Sequence, residues 1–382
     1  MENHNSVGKV IQRLLSYVLV ATVASAFTWA LATTQPSSKL EQMSALIRDR
    51  FIGETDQTLM EDAAAMAMVK SLPDRWSTYI PAASYQAHVE NQKNEYVGVG
   101  ITILKEESAG FRILAVAEGG PAEEAGVCAG DLITHVDGVD VTGPEITDLQ
   151  ELVPGKVNTT VVLTVQRDTS TLDLTVKRKV IHQKAASGQM LEDHIGLVTI
   201  ENFHGKSGKE TVEEVKKLVE QGADMLIFDV RNNPGGYVDE MNKVLDYLLP
   251  EGPLFRSVDY KGKENVDTSD ADCLELPMAV LINGNSYSAA EFFAAALSEY
   301  EWAITVGEPT TGKGYFQNTL ELMDGSALYL SVGKYFTPNG VSLADVGGLV
   351  PDILTDPAQG LVTAREDPQI QAAIRALTEE KQ

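Results

Sequence analysis

Two serines stand two residues apart in NGNSYSAAEFFAAA, residues 283–296, and a lysine follows in TTGKGYFQ, residues 310–317. Ser286 or Ser288 could attack a carbonyl if a base took its proton. Lys313 could be that base if held neutral. A free lysine titrates near pKa ~10.4, so working near pH ~7–8 takes a shift of roughly 2.5–3.5 units, or about 3–5 kcal/mol, which burial among apolar groups can supply. The residues after Ser288 read as a helix, whose free N-terminal N–H groups and dipole favour negative charge developing on a serine placed there. The N–H of Ala289 can aim at the same oxygen. A second donor would come from Gly235 and Gly236 in RNNPGG, just after the apolar run MLIFDV. Such donors make an oxyanion hole, a large contributor to acyl-transfer catalysis. Each residue also has a plain reading. Ser288-Ala-Ala-Glu291 fits a capping box, a lysine between glycines fits a solvated turn, and Gln317 fits an ordinary strand. Alone, each plain reading wins; joint placement in one pattern reverses this.

Other chemistries find less support. The six histidines are scattered, no HExxH occurs and no zinc-ligand spacing exists, so neither metal nor cofactor is expected. Ser331 and Lys334 match SxxK, but SALYLSVGKYF alternates like a strand, and residues three apart on a strand point to opposite faces. No GxSxG and no GNSGGP occurs, which argues against a Ser-His-Asp triad. ENVDTSDADCLE, residues 264–275, fails the EF-hand spacing and reads as an acidic surface loop. Cys128 and Cys273 fall in different candidate domains and are expected to be small buried hydrophobes rather than a disulfide.

The elements that must position these residues can be read from the pattern. The chain has 382 residues, 43% apolar and 22% charged, which allows two or three globular domains. A formal charge of −25 excludes nucleic acid as a partner on physical grounds, because phosphates need a basic surface. Residues 14–32, LLSYVLVATVASAFTWALA, carry no charge and would span about 28 Å as a helix, close to a hydrocarbon core of ~30 Å. Lys9 and Arg13 precede them without an intervening acid, which keeps the N-terminus in the cytoplasm and sends the rest across. The reading is a single-pass anchor with the bulk of the chain extracytoplasmic; the alternative is a signal peptide cut near Ala30-Leu31-Ala32, with secretion. Residues 35–38 form a short linker, and residues 39–92 a helical segment stopped once by Ser71-Leu72-Pro73-Asp74. From Tyr96 the period changes to two, with ITDLQELV, residues 146–153, as a short amphipathic helix among the strands. From about Gly188 strands alternate with helices, and MLIFDV and MAVLIN read as strands buried on both faces of an α/β layered domain.

The block PAEEAGVCAGDLITHVDGVDV, residues 121–141, resembles the core of a PDZ domain. VGVGI (Val97, Gly98, Val99, Gly100 and Ile101) is similar to its carboxylate-binding loop. Glycines let consecutive N–H groups turn toward one anion, and a neighbouring strand edge can take an extended peptide by strand addition. The motifs LPDRWSTYI, DVRNNPGG, NGNSYSAAEFFAAAL, VGEPTTGKGYFQ, LMDGSALYLSVGKYFTPNG and GGLVPDI then follow in an order that resembles the C-terminal processing, or tail-specific, serine proteases. The likeness runs from about Pro73 to Asp352. It implies an α/β catalytic domain with a crotonase/ClpP-like core, a small mostly-β PDZ domain and an N-terminal helical segment. The expected divisions are 1–36 (cytoplasmic tip, anchor or signal, linker), 37–94 (helical segment), 95–182 (PDZ) and 183–382 (serine protease).

By that resemblance the nucleophile, three residues before Glu291, maps to Ser288, the base to Lys313, and a lysine-positioning glutamine to Gln317; Ser286 does no covalent chemistry. The resemblance further implies cleavage of proteins near a free apolar C-terminus captured by the PDZ domain, gating by that domain, and a homodimer formed through terminal helices. Tyr287, Glu299 and Thr311 depart from the family pattern, as does the extra small residue in GGLVPDI, and they bear on substrate preference. Glu299 reads as structural. The alternative from another class is a non-catalytic, membrane-anchored PDZ scaffold with a charged, exposed Lys313.

Overall fold

The computed structural model of the protein describes residues 14–26, 28, 38–150, 152–360 and 362–379. Lys9, Arg13, the Ala30-Leu31-Ala32 site, most of the 35–38 linker and part of the 14–32 apolar run lie outside the described residues. Residues 14–26 of that run are helical. Among the described residues no helix is long and apolar enough to cross a membrane. Contacts divide the chain into two units, Met1–Tyr79 and Ile80–Gln382.

In the first unit the segment expected to be helical breaks into α1, Lys39–Arg50, and α2, Gln57–Lys70. Both starts are capped. The Ser38 Oγ accepts from the Glu41 N–H at 3.2 Å while the Glu41 carboxylate accepts from the Ser38 N–H at 3.0 Å, and Asp56 accepts from the Leu59 N–H at 3.0 Å. Helix α1 buries no residue, and α2 buries only Val69.

The second unit opens with α3, Ala82–Gln92. A β-rich module follows, built from β1 (Glu95–Gly98), β2 (Ile101–Glu106), β3 (Gly110–Val116), β4 (Leu132–Val136), β5 (Thr160–Arg167), β6 (Ser170–Lys177) and β7 (Lys179–His182). Strands β2-β3-β4-β5-β6 form one sheet in that order, and β1 pairs with β7 as a two-stranded antiparallel ribbon at the module's base. Alternate residues Val161, Leu163 and Val165 of β5 are fully buried against Phe111, Ile113 and Ile133, the period-two pattern of a sheet with one solvated face. The VGVGITIL run is not one strand: the chain bends at Gly100, whose φ of +77° an L side chain adopts at a cost. The expected helix over residues 146–153 does not form among its described residues, which are turn and irregular. Leu149 and Val153 are nevertheless buried, so the apolar spacing served packing without a helical ladder.

The remaining strands are β8 (Ala186–Met190), β9 (Ile195–Ile200), β10 (Met225–Asp229), β11 (Gly252–Asp259), β12 (Glu264–Ser269), β13 (Met278–Ile282), β14 (Ala303–Gly307), β15 (Tyr315–Glu321), β16 (Ala327–Phe336) and β17 (Ile353–Leu354). The longer helices are α4 (Ser207–Glu220), α5 (Val238–Leu248), α6 (Ala289–Glu299) and α7 (Pro368–Glu379). The central sheet runs β8-β9-β10-β13-β14-β17, parallel except at β8. Its middle strands are buried on both faces. Leu226, Phe228, Val280 and Ile282 join a core with α4, α5 and α6, while Met225, Ile227, Ala279 and Leu281 join a second core with Ile370, Ala373 and Leu377 of α7. This explains the unbroken apolar runs of β10 and β13. A smaller sheet carries β15, β16, β11 and β12, each antiparallel to the next. The architecture is a layered α/β domain joined to a mostly-β module. Two expectations fail here. Glu264–Ser269 is strand β12 rather than loop, and neither cysteine is buried: Cys128 is exposed and Cys273 half-buried. Both lie in irregular segments between regular elements, and the packing around them rather than their residue type decides that exposure.

Candidate active site

A cavity of about 440 Å³ is walled by Gly236, Tyr237, Ser288, Lys313, Gln317 and Tyr329 among others. Ser288 and Lys313, 25 residues apart in sequence, both reach it, and both are buried, at 6% and 8% exposure. Ser286 does not line it. Its hydroxyl donates to the Val230 carbonyl at 2.7 Å and accepts from the Asn283 N–H at 3.0 Å, tying the end of β10 to the loop after β13. A fully buried serine so engaged is a structural fastener.

Ser288 sits at the turn from that loop into α6, with φ +60° and ψ −129°. A non-glycine residue held there is strained by about 1–3 kcal/mol, and surrounding bonds must impose it. Glu291 does so. Its fully buried carboxylate accepts from the Ser288 N–H at 2.9 Å, the Lys313 N–H at 2.8 Å, the Gly312 N–H at 2.6 Å and the Thr310 hydroxyl at 2.5 Å. One side chain thus fastens the backbone of the serine to the backbone of the lysine loop. Burial pushes the Glu291 carboxyl above the usual carboxylate range, against the opposing pull of the Thr310, Gly312, Lys313 and Ser288 donors. From sequence Glu291 read as a capping residue; its tie to residues 310–313 crosses between elements that no local pattern connects.

The glycine turn after β10 closes on the same point. A Cβ on Gly235 would lie 2.7 Å from the Ser288 Cβ and 2.8 Å from the Ala289 nitrogen, at a φ of +85°. A Cβ on Gly236 would lie 2.3 Å from the Phe203 carbonyl. Only glycine fits either place. The buried Asn233 pins the turn: its Nδ2 donates to the Ile200 carbonyl, and its Oδ1 accepts from the Gly235 N–H, each at 2.8 Å. The Gly235 N–H is therefore engaged, and Gly236 is the member of the pair that lines the cavity. Below the turn, Arg231 holds Asp229 at 2.6 Å and Asp367, just before α7, at 2.8 Å.

Gln317 follows a bulge in β15. Its amide donates to the Ser331 hydroxyl at 2.9 Å and to the Tyr315 carbonyl at 3.2 Å, so the SxxK serine anchors this glutamine. Lys334 pairs with Asp345 at 3.9 Å. Tyr287 places its ring 5.8 Å from the Lys313 ammonium nitrogen, a contact that adds apolar cover to the lysine. Glu299 accepts from the Thr337 hydroxyl at 2.5 Å and the Asn339 N–H at 2.8 Å, a structural tie at the end of α6. His204 and Gln92 also wall the cavity, and neither carried a sequence signal. Burial holds the His204 imidazole below its usual range.

In the β-rich module, Val97, Gly98, Val99, Gly100 and Ile101 form the bend between β1 and β2. The Val99 carbonyl accepts from the Ala122 N–H, and the Gly100 carbonyl from the Ala117 N–H, both at 2.9 Å. Strand β2 is an edge of its sheet. Among the described residues no group of three or more His, Cys, Asp or Glu could hold a metal ion.

Residues 194–355 match peptidase family S41, and residues 112–167 match the PDZ domain. The chain is 32% identical over 324 residues to the "Probable CtpA-like serine protease" of Staphylococcus aureus (strain COL), covering 84% of this chain and 64% of that protein. A protein of the same description from Staphylococcus haemolyticus (strain JCSC1435) is 31% identical over 323 residues, covering 83% and 64%. The chain thus spans about two thirds of the length of these relatives, just under that share at 64%. A crystal structure assigned to the S41 proteases, from Bacteroides fragilis NCTC 9343, shares the fold with a TM-score of 0.54 at 15% identity, covering 91% of this chain and 98% of that one. By these matches the chain carries an S41 peptidase region and a PDZ region.

Proposed function

We propose that the protein is a serine endopeptidase in which Ser288 is the nucleophile and Lys313 the general base. The observation that carries this reading is the Glu291 clamp, which brings a strained serine and a buried lysine to one cavity while Ser286 is spent on structure. Lys313 is buried at 8% exposure, and only its neutral form could accept a proton. Lys313 takes the Ser288 proton as Oγ attacks the peptide carbonyl. The N–H groups of Ala289 and Gly236, on the framework set by Gly235, hold the oxyanion. The amine leaves with a proton from Lys313, and water, activated by the same lysine, releases the acyl group. Gln317, fixed by Ser331 and Tyr315, positions the lysine.

The PDZ module would capture the free apolar C-terminus of a protein substrate at residues 97–101, presenting nearby bonds for cleavage. The same reading takes residues 95–182 as a gate and residues 183–382 as the protease. The uncharged run 14–32 would hold the catalytic part outside the cytoplasm, on a single-pass anchor or after cleavage of a signal segment. A homodimer fits the apolar, unburied faces of α1 and α2.

The test follows cleavage of an unfolded reporter with an apolar C-terminus by wild type, Ser288→Ala, Lys313→Ala and Ser286→Ala. Loss in the first two variants, all remaining folded, with Ser286→Ala active in its folded fraction, establishes the dyad. Activity in Ser288→Ala removes it. Absence of cleavage and of acyl labelling at Ser288 in wild type favours the scaffold.

A further inference from the structure

Two residues of the cavity wall, His204 and Gln92, take no part in the chemistry assigned to Ser288 and Lys313. Both are fixed beside the glycine turn. The Phe203 N–H donates to the Gly235 carbonyl at 2.8 Å and the Phe203 carbonyl accepts from the Tyr237 N–H at 2.7 Å, so His204 leaves the chain one residue past the bridge to Gly236. The His204 N–H donates to the Asn202 side-chain oxygen at 2.8 Å. The next N–H, of Gly205, donates at 3.0 Å to the carbonyl of Gln92, the last residue of α3. Loop and helix end are thus pinned to each other, and the two side chains share one wall.

Their hydrogen-bonding directions are set. The Tyr237 hydroxyl donates to the Gln92 Oε1 at 2.9 Å, which leaves the Gln92 amide NH₂ as the end on offer. His204 sets its ring 6.3 Å from the Tyr237 ring. Burial holds the imidazole below its usual range and His88 adds to the lowering, against the pull of the Asn91 carbonyl that takes its N–H. The ring is therefore neutral near pH ~7, and the second nitrogen of a neutral imidazole is an acceptor. The wall pairs a neutral donor with a neutral acceptor. Among the described residues no Asp or Glu lines the cavity, although the chain carries 55 of them. A cationic side chain would find no counter-charge there, and a carboxylate would meet the lone pair of His204. An apolar side chain would strip water from both groups and return no hydrogen bond. A carboxamide, with an NH₂ and a C=O side by side, answers both.

We propose that His204 and Gln92 form a specificity subsite that takes an Asn or Gln side chain of the substrate close to the scissile bond. This subsite deepens the peptidase reading and rests on it. A wall built to hydrogen-bond a substrate group rejects an analogue of the same shape that lacks the group far more strongly than an apolar wall sorts by size. Selection here is separate from capture of an apolar C-terminus by the PDZ module. One substrate is then chosen twice, by its apolar end and by a carboxamide at the cut.

The test uses a short alanine-rich peptide with an apolar free C-terminus. Gln, Leu and Glu are placed in turn at every position outside the last four, so that C-terminal capture is untouched, and mass spectrometry maps each cut. At one position beside the cut, kcat/KM for Gln should exceed that for Leu and for Glu roughly tenfold or more. His204→Phe keeps the ring volume and Gln92→Leu keeps the side-chain length. Each should bring the Gln-to-Leu ratio at that position to within about twofold of unity and leave the ratios at other positions as they are. Circular dichroism checks the fold, and if one variant unfolds the other decides. Absence of any Gln-preferring position in wild type, or a preference that survives the substitutions, overturns the subsite. If wild type cuts none of the peptides, the peptidase reading fails instead. The subsite is then read by fluorescence anisotropy of the same labelled peptides on the Ser288→Ala protein, where a Gln preference in Kd that His204→Phe removes supports it and equal Kd values overturn it.

Discussion

Replacing Glu291 by glutamine tests the clamp with almost no change of volume. The wild-type carboxylate receives three backbone N–H groups and one hydroxyl in a fully buried place. A glutamine can offer only one oxygen. Its best orientation keeps that oxygen on the Ser288 and Lys313 N–H groups and turns its NH₂ toward Thr310 and Gly312. The Thr310 hydroxyl can rotate to accept, but the Gly312 N–H then faces another donor. One orphaned buried N–H costs about 1–3 kcal/mol, partly offset because the buried charge is gone. Melting and urea midpoints of Glu291→Gln should fall accordingly, and kcat should fall at least tenfold, since ~1.4 kcal/mol of misalignment suffices for that.

The pH profile adds a second reading. The Glu291 carboxyl is raised by burial, so the folded chain holds this proton more tightly than the unfolded chain does. Its contribution to stability is fully present below the ordinary glutamate range and is lost as pH rises through the raised value. Activity should move the other way, because protonation turns one carboxylate oxygen into an O–H donor and weakens its hold on the N–H groups that align Ser288 and the Lys313 loop. Wild type should therefore show an acid limb in kcat that Glu291→Gln lacks. Unchanged Tm with kcat within twofold, or an identical acid limb in both proteins, would refute the clamp.

Two further outcomes are expected. Gly235→Ala puts a Cβ within 2.8 Å of the Ala289 nitrogen at a φ of +85°, adding about 1–2 kcal/mol of backbone strain and displacing the oxyanion donors, so kcat should drop about 100-fold or more with the protein still folded by circular dichroism; kcat within threefold would refute the close approach. In the PDZ module, burial pushes the Asp131 carboxyl up, but the Arg167 guanidinium at 2.6 Å and the Cys128 N–H outweigh it and hold it below the usual range. That stability is present above the ordinary aspartate range and is lost as pH falls through the lowered value. Asp131→Asn should cost roughly 1.5–3 kcal/mol in urea denaturation at pH 7 and flatten the acid loss of stability, and an unaltered acid profile would speak against the pair.

The α/β layering was legible in the chain because β10 and β13 are short apolar runs between amphipathic helices, and burial on both faces leaves no other pattern. Ser288 and Lys313 were legible as candidates through their motifs, and Gly235 and Gly236 because a conformation closed to other residues forces the residue type. Three features were not. The chain between residues 146 and 153 has helical spacing but packs its apolar residues from turns, since tertiary contacts outweigh a weak local preference. Cys128 and Cys273 looked buried by type and are not, because neighbours in space decide exposure. The meeting of Ser288 with the lysine loop depends on Glu291 bonding 19 to 22 residues ahead of itself, a distance at which no periodicity carries information. Sequence by itself determined which residue types were present and which local shapes they allowed. Tertiary structure decided which serine is tied up and which lines a cavity, because only the folded chain gives Ser286 the Val230 carbonyl as a partner and places Ser288 at a cavity wall.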